Sequence, residues 1–285
     1  MKVLVTGSTG FIGQHIVPEL IKRGVEVIVT STNEEKAKKS PWFDQVEYLP
    51  CDYHSQKIDY IEYFGYPDVL IHLAWSGLPN YSSAYHVEIN LPANCLFLKN
   101  FIEGGIKKMV VTGTCYEYGM QCGCLHESDT TRPVTQYGLA KDTLHKYLEF
   151  LVYSTQISFN WVRLFYLYGD YQNPNSLLPQ LEKAISEGKT TFDMSGGEQL
   201  RDYLSVEDVA CNICTIALQN KVNGTINCCS GNPISIRRLV EERIKMLHSD
   251  IKLNLGYYPY PDYEPMAFWG DTTKLKEILG RSAQL

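Results

Sequence analysis

Short apolar runs alternate with longer amphipathic stretches from the first residues to about Tyr166, and this alternation constrains the fold more than any other feature. Apolar runs fall at 2–5, 25–30, 46–49, 69–73, 108–112 and 157–165, with helical periodicity at 11–22, 34–39, 55–64, 83–103 and 135–153. Strands separated by helix-length segments do not pair as hairpins. They line up in parallel with the helices as right-handed crossovers, so the expected fold class is α/β, a doubly wound parallel sheet. Gly24 closes the first helix and Gly104-Gly105 the fourth. Such a sheet takes its ligand at the C-terminal ends of its strands.

Beyond Tyr166 the rhythm changes to YGDYQNPNS, SGGEQ, SGNP and YYPYPDYEP, in which prolines, glycines and tyrosines cluster between short elements. This predicts a sheet domain over 1–165, with 205–229 returning to it, and a smaller, substrate-binding lobe mainly over 166–285. The 285 residues and 44% hydrophobic content suffice for one large core. The formal charge of -6 leaves no basic footprint, so nucleic acid is not an expected partner. No apolar run approaches the ~20 residues of a membrane span, and residues 1–5 read as a strand rather than a signal peptide, which predicts a cytoplasmic protein away from membranes. The nine cysteines, an odd number, then read as reduced thiols. Cys211 and Cys214 have zinc-like spacing, but VEDVACNICTIAL is apolar-periodic and no second pair completes a site, so core packing is expected of both. Cys122 and Cys124, in the loop GMQCGC, lack identifiable partner ligands. No metal is expected.

The opening run MKVLVTGSTGFIGQHI reads as a strand, a turn with Gly7, Gly10 and Gly13, and a helix. Unpaired N–H groups at that helix start suit a dinucleotide pyrophosphate, and glycine permits close backbone approach. Farther along, TQYGLAK sets Tyr137 and Lys141 four residues apart on one helix face. A phenol titrates near ~10, so it exchanges protons at neutral pH only where a cation favours its anion, and Lys141 is positioned to be that cation.

TGSTGFIG, DVLIHLAW, VVTGTCYEYG and YGLAK, followed by RDYLSVEDVA, resemble in order the extended short-chain dehydrogenase/reductase family, specifically its nucleotide-sugar epimerases, dehydratases and ketoreductases. The resemblance covers nearly the whole chain and implies a Rossmann fold. It implies that Gly7, Gly10, Phe11, Ile12 and Gly13 hold the cofactor pyrophosphate and that Asp52 contacts adenine. Ser31 and Thr32, with Leu73, Ala74 and Thr112 at later strand ends, complete the implied cofactor site. The implied catalytic set is Thr114, Tyr137 and Lys141: Thr114 hydrogen-bonds the reacting oxygen, Tyr137 moves the proton, and Lys141 binds the nicotinamide ribose and lowers the Tyr137 pKa. Implied substrate contacts are Trp75, Ser76, Tyr166, Asn175 and Arg201, the last to the nucleotide. Tyr166 departs from the asparagine usual at its position, and Asn173 or Asn175 is the expected replacement. Family members pair as homodimers through helices equivalent to 83–103 and 135–153.

Dehydratases of this family carry Asp-Glu directly after the threonine, because eliminating water needs an acid and a base. Here those positions are Cys115 and Tyr116, and Glu117 is expected to point to the other face. Net reduction and epimerisation remain, and both use the same tyrosine. At the second strand end, Thr30, Ser31 and Thr32 replace the acidic residue that binds the ribose diol of NAD, with Lys36 or Lys38 in reach of a 2′-phosphate, which favours NADP(H) over NAD(H). VVTGTCYEYGMQ looks like the 4-ketoreductases of nucleotide-linked deoxysugars. The expected reaction is therefore reduction of the C4 keto group of a nucleotide-diphosphate 4-keto-6-deoxyhexose, in deoxysugar biosynthesis for surface polysaccharide. An epimerase with tightly bound NAD and a non-catalytic cofactor-binding sensor are the alternatives.

Overall fold

The computed structural model describes residues 1–55 and 57–280. In the first strand Val3 and Val5 face one side and Leu4 the other, all fully buried, so the sheet needs cover on both faces. The first half of the chain runs β1 (Lys2–Thr6), α1 (Gly13–Lys22), β2 (Glu26–Thr30), α2 (Glu34–Lys38), β3 (Glu47–Tyr48), α3 (Tyr60–Tyr63), β4 (Val69–His72), α4 (Leu91–Glu103) and β5 (Lys108–Thr114). Then come β6 (Gly123–Leu125), α5 (Gln136–Val152), β7 (Ser158–Leu164), β8 (Tyr166–Tyr168), α6 (Leu177–Ser186), β9 (Thr191–Asp193) and β10 (Leu200–Ser205). The last part is α7 (Val206–Leu218), β11 (Gly224–Cys228), β12 (Pro233–Ser235), α8 (Ile236–Met246), β13 (Lys252–Asn254), β14 (Phe268–Gly270) and α9 (Thr273–Ile278).

Seven strands make one parallel sheet in the order β11-β7-β5-β4-β1-β2-β3. The chain winds one way from β1 and the other way from β4, so the switch point lies between these two strands and fixes where a ligand crevice opens. On one face α1 and α7 bury Ile16, Leu20, Val209 and Ile213 against Val3 and Val5. On the other, α4 and α5 bury Phe97, Phe101 and Leu144 against Leu4, Leu70 and Trp161. The chain re-enters this sheet through α7 and β11 after the loop-rich stretch. The remaining strands form β12-β10-β8, β13-β9 and β14-β6, beside α6 and α8, whose Leu181 and Val240 are fully buried.

Several local expectations need correction. Among the described residues of 55–64 only α3 is helical; Asp59 caps it through the Glu62 amide, and it ends before Gly65, with φ +63. Gln56 lies outside the described residues, as do 281–285 of the expected lobe. The stretch 83–103 opens as a π-type turn at His86–Asn90 before α4. Cys214 is fully buried between α7 and α1, but Cys211 is exposed and accepts from Arg23 Nη2 through its carbonyl. A helix repeat turns residues three apart about 60° from each other, enough to take one thiol off the core face.

Candidate active site

Two cavities open at the switch point. The first, about 450 Å³, is lined by Gly7, Gly10, Ser31, Thr32, Asp52, Leu73, Ala74, Trp75 and Ser76, drawn from the ends of β1, β2, β3 and β4. Gly7 makes the close approach of β1 and β4 possible: at φ +67, a Cβ there would stand 2.9 Å from the Ala74 amide nitrogen. Gly13 lies under the turn, where a Cβ would stand 2.4 Å from the Gly7 carbonyl oxygen and 2.6 Å from that of Ser8. Buried His72, at the end of β4, bridges the Thr6 hydroxyl at 2.9 Å and Asn94 Oδ1 at 2.6 Å. Thr6 Oγ1 in turn accepts from the Leu73 and Ala74 amides, so Nε2 of His72 carries the proton and Nδ1 accepts. Burial pushes the His72 pKa down to about 3, keeping the imidazole neutral in this network. The cavity fits a dinucleotide: its glycine cradle leaves no room for side chains, and Thr30 Oγ1 and His54 Nδ1 line it buried, with no hydrogen-bond partner among the described residues.

The second cavity, about 520 Å³, is lined by Thr114, Cys115, Tyr116, Tyr137, Tyr166 and Asn175, with Asn173 also present. Phe11 and Ile12 line this cavity and not the first, whereas Trp75 and Ser76, expected on the substrate side, line the first. Thr114 ends β5 and caps the 3₁₀ turn Cys115–Tyr118, its hydroxyl accepting from the Tyr116 amide. Tyr137 starts α5, which Thr135 caps through the Gly138 amide, and its own amide donates to the Tyr81 carbonyl at 3.0 Å. Strand end and helix start thus bring Thr114 and Tyr137 to one wall.

Lys141 corrects the expectation that it holds the Tyr137 pKa down. It lines neither cavity; it is 2% exposed, donates to the Thr112 carbonyl at 2.8 Å, and lies 4.1 Å from the centre of the Trp75 indole. Burial pushes the ammonium down to about 7, against the pull of Glu117, so the fixed cation that expectation required is only partly charged at neutral pH. Burial, then the neighbouring Tyr81, push the Tyr137 phenol up, and a hydrogen bond with Thr114 opposes them. The phenol is therefore held in its protonated form. Thr112 is buried and donates its hydroxyl to the His72 carbonyl at 3.2 Å.

Glu117 turns away from both cavities. It is fully buried, accepts from Arg163 Nε at 2.7 Å, Trp161 Nε1 at 3.0 Å and the Thr114 amide at 2.8 Å. Ligand atoms of Glu117, Asp142 and His145 lie within 4.8 Å of one another, but these three donors already occupy the glutamate. Arg201, expected to reach the nucleotide, is 2% exposed and bound to Glu264 at 2.9 Å, the carboxylate being neither Asp202 nor Glu198, its sequence neighbours. Its desolvated guanidinium needs a counter-charge, and Glu264 supplies it from the segment before β14. Sequence reading missed Glu264 and Tyr81, whose only signal was the aromatic density around them.

Residues 3–229 match the family described as the NAD dependent epimerase/dehydratase family. The chain is 31% identical over 273 residues to dTDP-6-deoxy-L-talose 4-dehydrogenase (NAD(+)) of Aggregatibacter actinomycetemcomitans, covering 95% of this chain and 99% of the relative. It is 25% identical to a UDP-glucose 4-epimerase of Halalkalibacterium halodurans, covering 98% and 90%. Its fold superposes on the UDP-glucuronic acid 4-epimerase from Bacillus cereus in complex with UDP-glucuronic acid and NAD, with a TM-score of 0.86 at 22% identity, covering 100% of this chain and 95% of that one. With the glycine turn at β1, the parallel sheet and the match over most of its length, this chain belongs to the NAD-dependent epimerase/dehydratase family, the extended short-chain dehydrogenases/reductases.

Proposed function

We propose that the chain reduces the C4 keto group of a nucleotide-diphosphate 4-keto-6-deoxyhexose, a step in deoxysugar biosynthesis for surface polysaccharide. The observation that carries this reading is the second cavity. It sets the Thr114 hydroxyl beside a protonated Tyr137, and puts Cys115 and Tyr116 where elimination of water would need two carboxylates. Burial pushes both the Cys115 thiol and the Tyr116 phenol up, so neither ionises at neutral pH. The likeness to a nucleotide-linked 6-deoxysugar 4-dehydrogenase along nearly the whole chain supports the same C4 redox chemistry.

A reduced nicotinamide cofactor supplies the hydride. Gly7, Gly10 and Gly13 would leave room for its pyrophosphate at the start of α1, aided by Phe11 and Ile12, with the Gly10 amide already given to the Gly7 carbonyl at 2.9 Å. Ser31 and Thr32 would face the ribose, Asp52 the adenine, and Leu73 and Ala74 the rest of the dinucleotide, whereas Thr112 lines neither cavity. Tyr137 Oη gives its proton to the oxygen at C4 and the Thr114 hydroxyl stabilises the charge developing there, while Lys141, which lines neither cavity, holds the strand end behind them through the Thr112 carbonyl. Tyr166 and Asn175 border the sugar nucleotide, and Trp75 and Ser76 border the dinucleotide. Arg201, tied to Glu264, is left without a direct contact. We read the cofactor as NAD(H) in preference to the NADP(H) that hydroxyls alone suggest. Lys38, one candidate for a 2′-phosphate, is held by Glu34 at 3.1 Å and Glu35 at 3.2 Å, and those carboxylates follow Thr32 closely.

The test mixes the purified protein with a dTDP-linked 4-keto-6-deoxyhexose and either NADH or NADPH, following nicotinamide absorbance. Faster consumption of NADH is the expected result. A protein that carries stoichiometric NAD through purification and inverts C4 without consuming added cofactor is an epimerase, and that outcome overturns the reading. Among the described residues no helix is long and apolar enough to cross a membrane. On the outer faces of α4 and α5, Leu96 is 65% and Phe150 80% exposed, which supports a homodimer through these helices. Light scattering of wild type and Phe150→Glu tests it, with dimer and monomer expected in turn.

A further inference from the structure

The wall of the second cavity is held from behind by a carboxylate that does not line it. Tyr116 donates its hydroxyl to Glu264 Oε1 at 2.5 Å, and Glu264 Oε2 accepts from Arg201 Nη2 at 2.9 Å and Nε at 3.3 Å. Arg201 is itself immobilised: Nη1 donates to the Leu200 and Met266 carbonyls at 2.9 and 3.3 Å, and the guanidinium lies 4.9 Å from the Phe268 ring centre. A planar fork held at both ends fixes the carboxylate, and the carboxylate fixes the phenol. On the cavity side Tyr81 stacks on Tyr116, ring centres 4.7 Å apart, and the Tyr81 carbonyl takes the Tyr137 amide. Tyr263, next to Glu264, lies 6.2 Å from Tyr81 and 6.3 Å from Tyr116. One contact path therefore runs from β10 and the segment before β14, through two stacked tyrosines, to the first turn of α5.

We propose that Glu264 is a positioning residue for the sugar: through Tyr116 and Tyr81 it sets the wall of the substrate cavity and the placement of Tyr137. The role suits a carboxylate, because buried Arg201 needs an anion and the Tyr116 hydroxyl needs an acceptor. It also gives the tyrosine- and proline-rich segment before β14 a function, since that segment carries Glu264 to the wall. The inference rests on the reading of this cavity as the sugar-nucleotide site.

The experiment compares wild type, Tyr116→Phe, Glu264→Gln and the double variant. Calorimetry gives the Kd for a dTDP-linked 6-deoxyhexose and for NADH, and steady-state kinetics give KM and kcat. Each single variant is expected to weaken sugar-nucleotide binding and raise its KM about tenfold, as loss of a hydrogen bond to a charged group does. The Kd for NADH should stay within about twofold, because neither Tyr116 nor Glu264 lines the first cavity. The double variant should bind no worse than the weaker single one, since both substitutions act on one path from Arg201 through Glu264 to Tyr116. Tyr116→Phe removes one hydroxyl and keeps the test alive should Glu264→Gln fold poorly. Wild-type sugar-nucleotide affinity in Tyr116→Phe, or penalties that multiply in the double variant, overturns the positioning role alone. A wild-type protein that neither binds nor converts the sugar nucleotide overturns the functional reading together with it.

Discussion

Replacing Lys141 by methionine is expected to raise stability. Lys141 is 2% exposed, and burial pushes its ammonium from 10.5 to about 7. Burying a group that is charged in the unfolded chain then costs roughly 5 kcal/mol at low pH, at ~1.4 kcal/mol per tenfold change in proton affinity. Two contacts offset part of it: the bond to the Thr112 carbonyl at 2.8 Å and the Trp75 ring at 4.1 Å. Together they contribute about 3 kcal/mol. Methionine has similar volume, forfeits both and removes the charge, for a net gain of ~2 kcal/mol, or about 3 °C in Tm. The sign with pH follows from the lowered folded pKa. Between about 7 and 10.5 the unfolded chain binds more protons than the folded one, so wild-type stability rises with pH through that window. The penalty is complete below about pH 7 and gone above 10.5. Thermal melts of both proteins at about pH 6 and about pH 9 should therefore show the variant ahead at the lower pH and losing its lead at the higher. A variant that melts below wild type at pH ~6, or a difference that ignores pH, refutes the burial argument.

Three further outcomes are expected. Tyr137→Phe should lower turnover by at least ~10³-fold with cofactor affinity within about twofold, measured by steady-state kinetics and NADH fluorescence titration; near wild-type activity refutes the proton-transfer role. Glu117→Gln leaves Arg163, 3% exposed, without its counter-charge and should cost about 3 kcal/mol in urea unfolding, whereas a loss below about 1 kcal/mol shows the network to be dispensable. Gly13→Ala puts a methyl 2.4 Å from the Gly7 carbonyl oxygen and should weaken NADH binding at least about tenfold; unchanged binding shows that the turn can shift freely.

What the amino-acid sequence determined by itself is what local chemistry encodes. Apolar runs spaced by helix-length segments leave a parallel sheet as the solution, and a turn in which a Cβ would stand 2.9 Å from the Ala74 amide nitrogen is written as Gly7. Tyr137 and Lys141, four apart on α5, needed only helix geometry to share a face. Ion pairing and burial were decided by the tertiary structure alone. Arg201 meets Glu264 across 63 residues, and Tyr116 meets the same carboxylate across 148. Lys141 loses its solvent to the Trp75 and Trp161 rings, brought over it by the loop after β4 and by β7, and burial lowers its pKa to about 7. Hydrophobic period is a property of neighbouring residues and survives in one dimension. Desolvation and charge pairing depend on which distant segments arrive, and the folded chain alone brings them together.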